Sequence, residues 1–87
     1  MPFEPKYEPL NLTGPLRADL LQRAKVAWFK AGESRNPTEA SGVHTRKGLV
    51  YVVLRYDAGV LAVYRVRQLE SGLMLRRMLR PPASLTA

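Results

Sequence analysis

The segment from Leu49 to Leu79 constrains the fold of this chain more than any other part of its sequence. It contains three apolar runs, LVYVVLRY, VLAVYRVR and LMLRRML, which are separated by the short turn sequences YDAG and LESG. Runs of this length that are rich in Val, Leu and Tyr and bounded by glycine-containing turns are typical of β-strands joined as hairpins. The sequence therefore predicts a three-stranded antiparallel meander sheet, which we place at residues 48–80.

One helix is predicted before this sheet, at residues 15–31. Pro15 suits the first turn of a helix, and Gly32 follows as a stop signal. The apolar residues recur at three- and four-residue steps, as in a helix that packs along one side. They are Leu16, Leu20, Ala24, Ala27, Trp28 and Ala31. The predicted fold is α+β in the order α-β-β-β, with the helix packed on one face of the sheet.

The remaining segments are predicted to lack helices and strands. Residues 1–14 carry prolines 2, 5 and 9, which favour extended backbone, and are predicted to form an N-terminal arm. Residues 32–47 are rich in Gly, Ser, Asn and Thr and are predicted to form a flexible loop. Residues 81–87 follow as a tail that begins with two prolines. At 87 residues the whole chain is expected to form one domain.

The turn between the first two strands determines which side chains share a face. A three-residue loop at residues 57–59, with a bulged turn at its glycine, pairs Tyr56 with Val60. This register collects a set of apolar and aromatic residues on one face, and we assign that face to the helix. A two-residue loop would mix Arg55 with apolar side chains, so we prefer the bulged turn. The helix-side set is Val50, Val52, Leu54, Tyr56, Val60, Ala62, Tyr64 and Val66.

The register of the third strand depends on the turn that precedes it. In the preferred arrangement Leu73, Leu75 and Leu79 continue the helix-side face, and Arg77 lies near the edge of the core. A three-residue turn at residues 70–72 would exchange the two sets of side chains. We call the opposite side of the sheet the arginine face. In the preferred register it holds Leu49, Tyr51, Val53, Arg55, Leu61, Val63, Arg65, Arg67, Met74, Arg76, Met78 and Arg80.

A single helix cannot cover both sides of the sheet, so the arginine face needs another occupant. Uncovered, its apolar members would form a patch of the size that marks binding sites. We consider a second copy of the chain, which would make a homodimer, and nucleic acid, whose phosphates would accept hydrogen bonds from the arginines. The third occupant is the chain's own arm, through Phe3, Tyr7, Leu10 and Leu12, with Glu4 and Glu8 near the arginines.

The charge of the chain favours an anionic partner. Fourteen Lys and Arg against seven Asp and Glu leave a net charge of +7, with a pI near 10.4. Such a balance is typical of proteins that bind nucleic acid or an acidic protein surface. Tyr51 offers a ring on which a base could stack. The predicted contact residues are Tyr51, Arg55, Arg65, Arg67, Arg76 and Arg80, with Arg46 and Lys47 at the entry to the first strand.

Catalysis, metals and cofactors have little support in the sequence. Cysteine is absent, the seven acidic residues show no metal-ligand spacing, and no cofactor motif is present. His44 is the only histidine, and a small ribonuclease that uses His44, Tyr51, Tyr64 and Arg65 remains as a minor alternative. No apolar run is long enough for a bilayer, and the N-terminus does not resemble a signal peptide, so we expect a cytoplasmic protein without a membrane partner.

These features predict a small basic protein that is not an enzyme and that binds or regulates nucleic acid through the arginine face. The alternative is a homodimer or adaptor that uses the same face to contact protein.

Overall fold

The computed structural model describes residues 11–86, which form an α+β fold with two helices and four strands. The strands make one antiparallel sheet in the order β1-β2-β3-β4, so neighbours in the sequence are also neighbours in the sheet. Residues 1–10 of the predicted arm lie outside the described part of the chain, and Leu12, which was predicted to lie on the arginine face, packs instead against the helix-side core. The elements are α1 (Gly14–Lys30), β1 (Gly42–Arg46), β2 (Leu49–Tyr56), β3 (Gly59–Leu69), β4 (Gly72–Arg77) and α2 (Ala83–Thr86).

The predicted helix is confirmed as α1, which begins one residue before Pro15 and ends at Lys30. Thr13 caps its N-terminus, because the Thr13 hydroxyl accepts a hydrogen bond from the backbone N–H of Leu16 at 3.2 Å. The apolar stripe faces the sheet, as predicted, except that Ala31 follows the end of α1 and is exposed. Its most deeply buried members are Leu20, Ala24 and Trp28.

The prediction of three strands is wrong, because the predicted loop contains a fourth strand, β1. Lys47 and Gly48 form a two-residue hairpin turn between β1 and β2, and both have positive φ angles of 51° and 78°. This turn fits the right-handed twist of the paired strands. The strand is short, but Val43 is buried beneath α1, and the pairing with β2 stabilises it.

The rest of the predicted loop is tied to β2 by hydrogen bonds. The backbone N–H of Thr38 donates to the carbonyl oxygen of Arg55 at 2.8 Å. The Ser41 hydroxyl accepts from the backbone N–H of Arg55 at 2.8 Å, and Ser41 is buried. The loop therefore supplies partners for backbone groups at the end of β2.

The register predicted for the body of β2 and β3 is confirmed, but its cause is different. Leu54 lies opposite Ala62, while Tyr56 pairs with Gly59 across a two-residue loop. Leu61 has no partner in β2 and forms a β-bulge. The bulge shifts the register by one residue, which is the same shift that the predicted three-residue loop would have produced. The bulge also reverses the predicted faces of two residues: Leu61 packs on the helix side and Val60 packs on the arginine face.

The preferred register of the third predicted strand, now β4, is also confirmed. Leu73 and Leu75 pack against the helix-side core, whereas Arg76 lies opposite Arg65. Leu79 is an exception, since it was expected in the core and is 95% exposed. The strand ends at Arg77, and the chain then turns across the arginine face toward two prolines that cannot extend a strand.

The predicted tail is therefore part of the fold. The backbone N–H of Met78 donates to the carbonyl oxygen of Val63 at 2.9 Å, where the chain leaves the edge of the sheet. Leu85, in α2, is only 1% exposed and completes a second apolar cluster on the arginine face. The other buried members of that cluster are Tyr51, Val53 and Val63.

Two arginines of α1 protect the outer edges of the sheet. The Arg17 guanidinium donates to the carbonyl oxygen of Val43 in β1 at 3.1 Å, and Arg23 donates to that of Leu73 in β4 at 3.2 Å. An edge strand pairs less readily with other chains when charged side chains lie along it and already occupy its backbone hydrogen-bonding groups. Among residues 11–86, no helix combines the length and apolarity that crossing a bilayer requires.

Candidate functional site

The sheet carries a strong positive charge that acidic residues of the strands do not balance. The acidic residues between β1 and the end of β4 are Asp57 and Glu70, and both lie in hairpin turns. The strands themselves contain no acidic residue and six arginines, which are Arg46, Arg55, Arg65, Arg67, Arg76 and Arg77.

A row of directly opposed residues crosses all four strands on the arginine face. His44 lies opposite Tyr51, Tyr51 opposite Arg65, and Arg65 opposite Arg76. The Cβ atoms of such cross-strand partners are about 4.5 to 5.5 Å apart, and like charges at this distance destabilise the pair. The fold thus places two arginine side chains opposite each other without a carboxylate in the row.

The Arg65 side chain also has a hydrogen-bond donor without an acceptor among the described residues. Its Nε atom is buried and has no hydrogen-bond partner within the described part of the chain. A buried donor without a partner costs free energy, so native structures contain few of them, and those few often occur at functional sites. Arg65, Arg67 and Arg76, which we call the arginine cluster, line an open cleft of about 350 Å³. Its other lining residues are Arg77, at the end of β4, and Met78 and Leu79, just after it.

The open end of the arginine face is apolar as well as basic. Met74 lies opposite Arg67 and is 41% exposed, and Leu49, at the start of β2 on the same face, is 38% exposed. The guanidinium groups of the arginine cluster therefore lie beside apolar surface that is open to a partner.

Two of the sequence-predicted arginines instead hold the C-terminal segment. Arg55 donates from Nη2 to the carbonyl oxygen of Leu85 at 3.1 Å, and Arg46 donates from Nε to the Ser84 hydroxyl at 3.3 Å. Sequence reasoning did not anticipate these contacts, because they join residues 30 and 38 positions apart.

The other predicted contact residues are dispersed. The Tyr51 ring is 5% exposed and lies among the apolar residues around Leu85, so it offers no open stacking surface in this conformation. Lys47 is exposed in the β1–β2 turn, and Arg80 is exposed on the chain after β4. Arg77 points toward the helix side, where it forms an ion pair with Glu33 at 3.2 Å.

The residues of the ribonuclease alternative are divided between the two faces. His44, Tyr51 and Arg65 share the cross-strand row, but Tyr64 lies in the helix-side core and is 3% exposed. Burial raises the pKa of Tyr64. Among the described residues, no three side chains of the types that ligate metals lie close enough together to hold an ion.

His44 is in an environment that opposes its protonation. Partial burial lowers the pKa of His44 below its ordinary value of 6.5, and the positive charges of Arg46, Arg55 and Arg17 lower it further. The neutral imidazole is therefore favoured in the folded protein more than in the unfolded chain.

This shift predicts a pH dependence of stability. Below pH 6.5 the unfolded chain binds more protons at His44 than the folded protein does, so the free energy of unfolding should fall as the pH falls through the folded pKa of His44. Urea unfolding of the protein and of His44→Gln, between about pH 7.5 and about pH 5.5, would measure it, because carboxylates titrate mainly below this range. The free energy of unfolding of His44→Gln should depend less on pH than that of the unmodified protein. Equal slopes for the two proteins would contradict the prediction.

Fold and site together define a small α+β protein with a basic, partly apolar sheet face. Comparisons with models of protein families, with curated proteins and with solved structures find no match for this chain. Its function is therefore inferred from the chemistry of the site.

Proposed function

We propose that the protein is a binding or regulatory protein without catalytic activity, and that its arginine cluster contacts the phosphates of nucleic acid. One observation carries this proposal. Arg65 and Arg76 are held opposite each other, and the buried Nε of Arg65 lacks a partner within the described residues. An anion in the cleft would offset the repulsion between the two guanidinium groups, and it would accept this hydrogen bond once the Arg65 side chain turns its Nε toward the cleft, because that atom is buried in the present conformation.

Arginine is suited to a phosphate ligand because its planar guanidinium donates two parallel hydrogen bonds to the oxygens of one phosphate. Arg65 and Arg67 lie on the same face of β3, two residues apart, which corresponds to about 6.5 to 7 Å along a strand. Arg76 adds a third guanidinium from the neighbouring strand. A ligand with charges repeated along a chain, such as a nucleic-acid backbone, can occupy these positions together.

The charge of the whole chain supports the same proposal. A net charge of +7 on 87 residues attracts polyanions at long range and raises the rate of encounter. The exposed apolar surface of Leu49 and Met74 next to the cluster offers contacts to sugars and bases in addition to phosphates.

Fluorescence-anisotropy titrations against single-stranded RNA, single-stranded DNA and duplex DNA in a salt series test the proposal. Three phosphate contacts predict that the logarithm of the association constant falls with that of the salt concentration, with a slope of about −2 or steeper for single strands. Binding that is weak and disappears by about 0.15 M salt, where charges are already strongly screened, would contradict it.

The second candidate is a protein-interaction module, and the exposed apolar residues favour it. Leu49, Leu69 and Met74 are each between 37% and 41% exposed. In a homodimer or a complex with an acidic protein these residues would become buried. A mass that increases with concentration, together with weak binding of all three nucleic acids, would favour this candidate over the first.

A further inference from the structure

Part of the arginine face is covered by the C-terminal segment, residues 78–86, which we call the strap. Its most deeply buried side chain is Leu85, which is 1% exposed and lies among Tyr51, Val53 and Val63, while Met78 at the start of the strap packs against the same cluster and is only partly buried. The strap covers the Tyr51 ring and engages two guanidinium groups, those of Arg46 and Arg55. The arginine cluster lies beside the strap, so the covered and open parts form one continuous surface.

Apart from the backbone hydrogen bond from Met78 to Val63 at its start, the polar contacts that hold the strap are of a kind that an anion can replace. Arg55 donates to a backbone carbonyl, and Arg46 donates to the carbonyl of Thr45 and to the Ser84 hydroxyl. All of these acceptors are neutral. A phosphate carries the charge opposite to that of a guanidinium and can accept two parallel hydrogen bonds from it, whereas a single carbonyl or hydroxyl oxygen offers neither. A phosphate at this position would therefore compete well with the strap for both arginines.

The strap is also weakly constrained by its own structure. The helix α2 contains four residues, and a helix this short does not form without tertiary support. An open cleft of about 640 Å³ lies between the strap and the β2–β3 hairpin, so the strap is packed along one side only. Leu79, at the point where the strap leaves the sheet, is 95% exposed and provides no anchor.

From these observations we infer that single-stranded nucleic acid is the ligand of the arginine face and that it binds by displacing the strap. The inference rests on the proposed function. Displacement would free Arg46 and Arg55 for phosphates and uncover the Tyr51 ring for base stacking. The uncovered surface is apolar between its arginines, which suits unpaired bases. A duplex keeps its bases inside and offers only its backbone to such a surface.

The strap then acts as an internal competitor of the ligand. Because only the open state binds fully, the apparent dissociation constant is the intrinsic value divided by the open fraction. If the strap is closed in about nine molecules of ten, a variant that cannot close should bind about tenfold more tightly. Duplex DNA, which contacts the arginine cluster alone, should show no such gain.

A matched pair of leucine substitutions tests this inference. In Leu85→Ser the anchor of the strap is lost, whereas Leu79→Ser makes the same chemical change at an exposed position of the strap. We expect Leu85→Ser to bind single-stranded RNA and DNA about tenfold more tightly than the unmodified protein, and Leu79→Ser to bind like it. Circular dichroism would establish that both variants are folded. A folded Leu85→Ser with unchanged or weaker affinity for single strands would overturn the inference.

A second measurement does not depend on removing the anchor. The chain has no cysteine, so Thr86→Cys, at an exposed position of α2, can carry a single environment-sensitive dye. Titration with single-stranded RNA should change the dye signal with the same midpoint as binding, because the strap is released. An unchanged signal at saturation would overturn the inference while leaving the proposed function intact. If the unmodified protein binds none of the nucleic acids, both the proposed function and the inference fail.

Discussion

Changing Arg65 and Arg76 together to glutamine is expected to weaken the binding of nucleic acid about a hundredfold. A hydrogen bond to a charged group contributes about 1.5 to 3 kcal/mol, and 1.4 kcal/mol corresponds to a factor of ten in affinity. The two side chains lie directly opposite each other in the cleft of the arginine cluster, so both lose a contact to the same stretch of backbone. For single strands, the slope of the logarithm of the association constant against that of the salt concentration should become shallower by about 1.4, which is the share of two of the three contacts.

The control for this variant removes the same charge from the other side of the molecule. Lys25 and Lys30 are on α1, which packs on the opposite face of the sheet, and glutamine has a helix propensity close to that of lysine. Lys25→Gln with Lys30→Gln should reduce affinity much less. If the two double variants weaken binding equally, the net charge and not the arginine cluster determines affinity, and the proposed site is wrong.

Stability provides an independent readout of the same variant. Glutamine at both positions removes the repulsion between directly opposed guanidinium groups and replaces the side chain whose Nε lacks a partner among the described residues. The free energy of unfolding should therefore stay the same or rise. Loss of binding with undiminished stability is the result expected of binding residues, whereas loss of both would indicate that the arginines hold the fold together.

Trp28→Ala is expected to cost about 3 to 5 kcal/mol of stability, the usual range for truncating a buried large aromatic residue. The Trp28 ring is 4% exposed at the centre of the α1 stripe, and its Nε1–H donates to the carbonyl oxygen of Arg35 at 2.7 Å. The Arg77 guanidinium also lies 5.0 Å from the ring centroid, close enough for a cation–π contact. The substitution removes core packing, a buried hydrogen bond and this contact together.

A loss of this size would consume much of the stability of a small domain, which is typically about 5 to 15 kcal/mol. Urea unfolding followed by circular dichroism measures it. The neighbouring Phe29 is the matched control, because it is 44% exposed and Phe29→Ala should cost about 1 kcal/mol or less. Similar losses for Trp28→Ala and Phe29→Ala would mean that α1 does not pack through the predicted stripe.

Local periodicity explains the parts of the fold that were predicted correctly. The stripe from Leu16 to Trp28 repeats at helical spacing, and the alternation in β2 and β3 assigns Val52 and Tyr64 to the side of α1. Burial of one face constrains the register strongly, because a shift of one residue would expose every core side chain. The register of the body of β2 and β3 was therefore predicted correctly, whereas the predicted pair of Tyr56 with Val60 was wrong, because a bulge at Leu61 and not a longer loop produces the shift.

The elements that were missed depend on contacts between distant segments. The strand β1 has only five residues, and its buried side chain, Val43, is covered by α1. The dipeptide Lys47-Gly48 is not one of the pairs that commonly signal a hairpin, and the residues before it are mostly polar, so the local sequence did not indicate a strand. Leu85 was missed for a similar reason, since one leucine in a proline-containing tail has no periodicity.

In the candidate site, too, some residues were placed correctly from the sequence pattern and others depended on contacts between distant segments. The opposition of Arg65 and Arg76 follows from strand alternation and the turn before β4, and the sequence alone placed both on one face. The roles of Arg46, Arg55 and Tyr51 depended on the strap, which crosses the sheet after the last strand has ended.

The sequence by itself thus determined the helix, the faces of the main strands and the excess of positive charge, because each of these arises from residues that are close together in the chain. Only the tertiary structure decided that β1 joins the sheet, that the strap covers part of the arginine face through Leu85 and that Arg65 keeps an unpartnered donor among the described residues. These features depend on packing between segments tens of residues apart, where no local pattern specifies which side chains will meet.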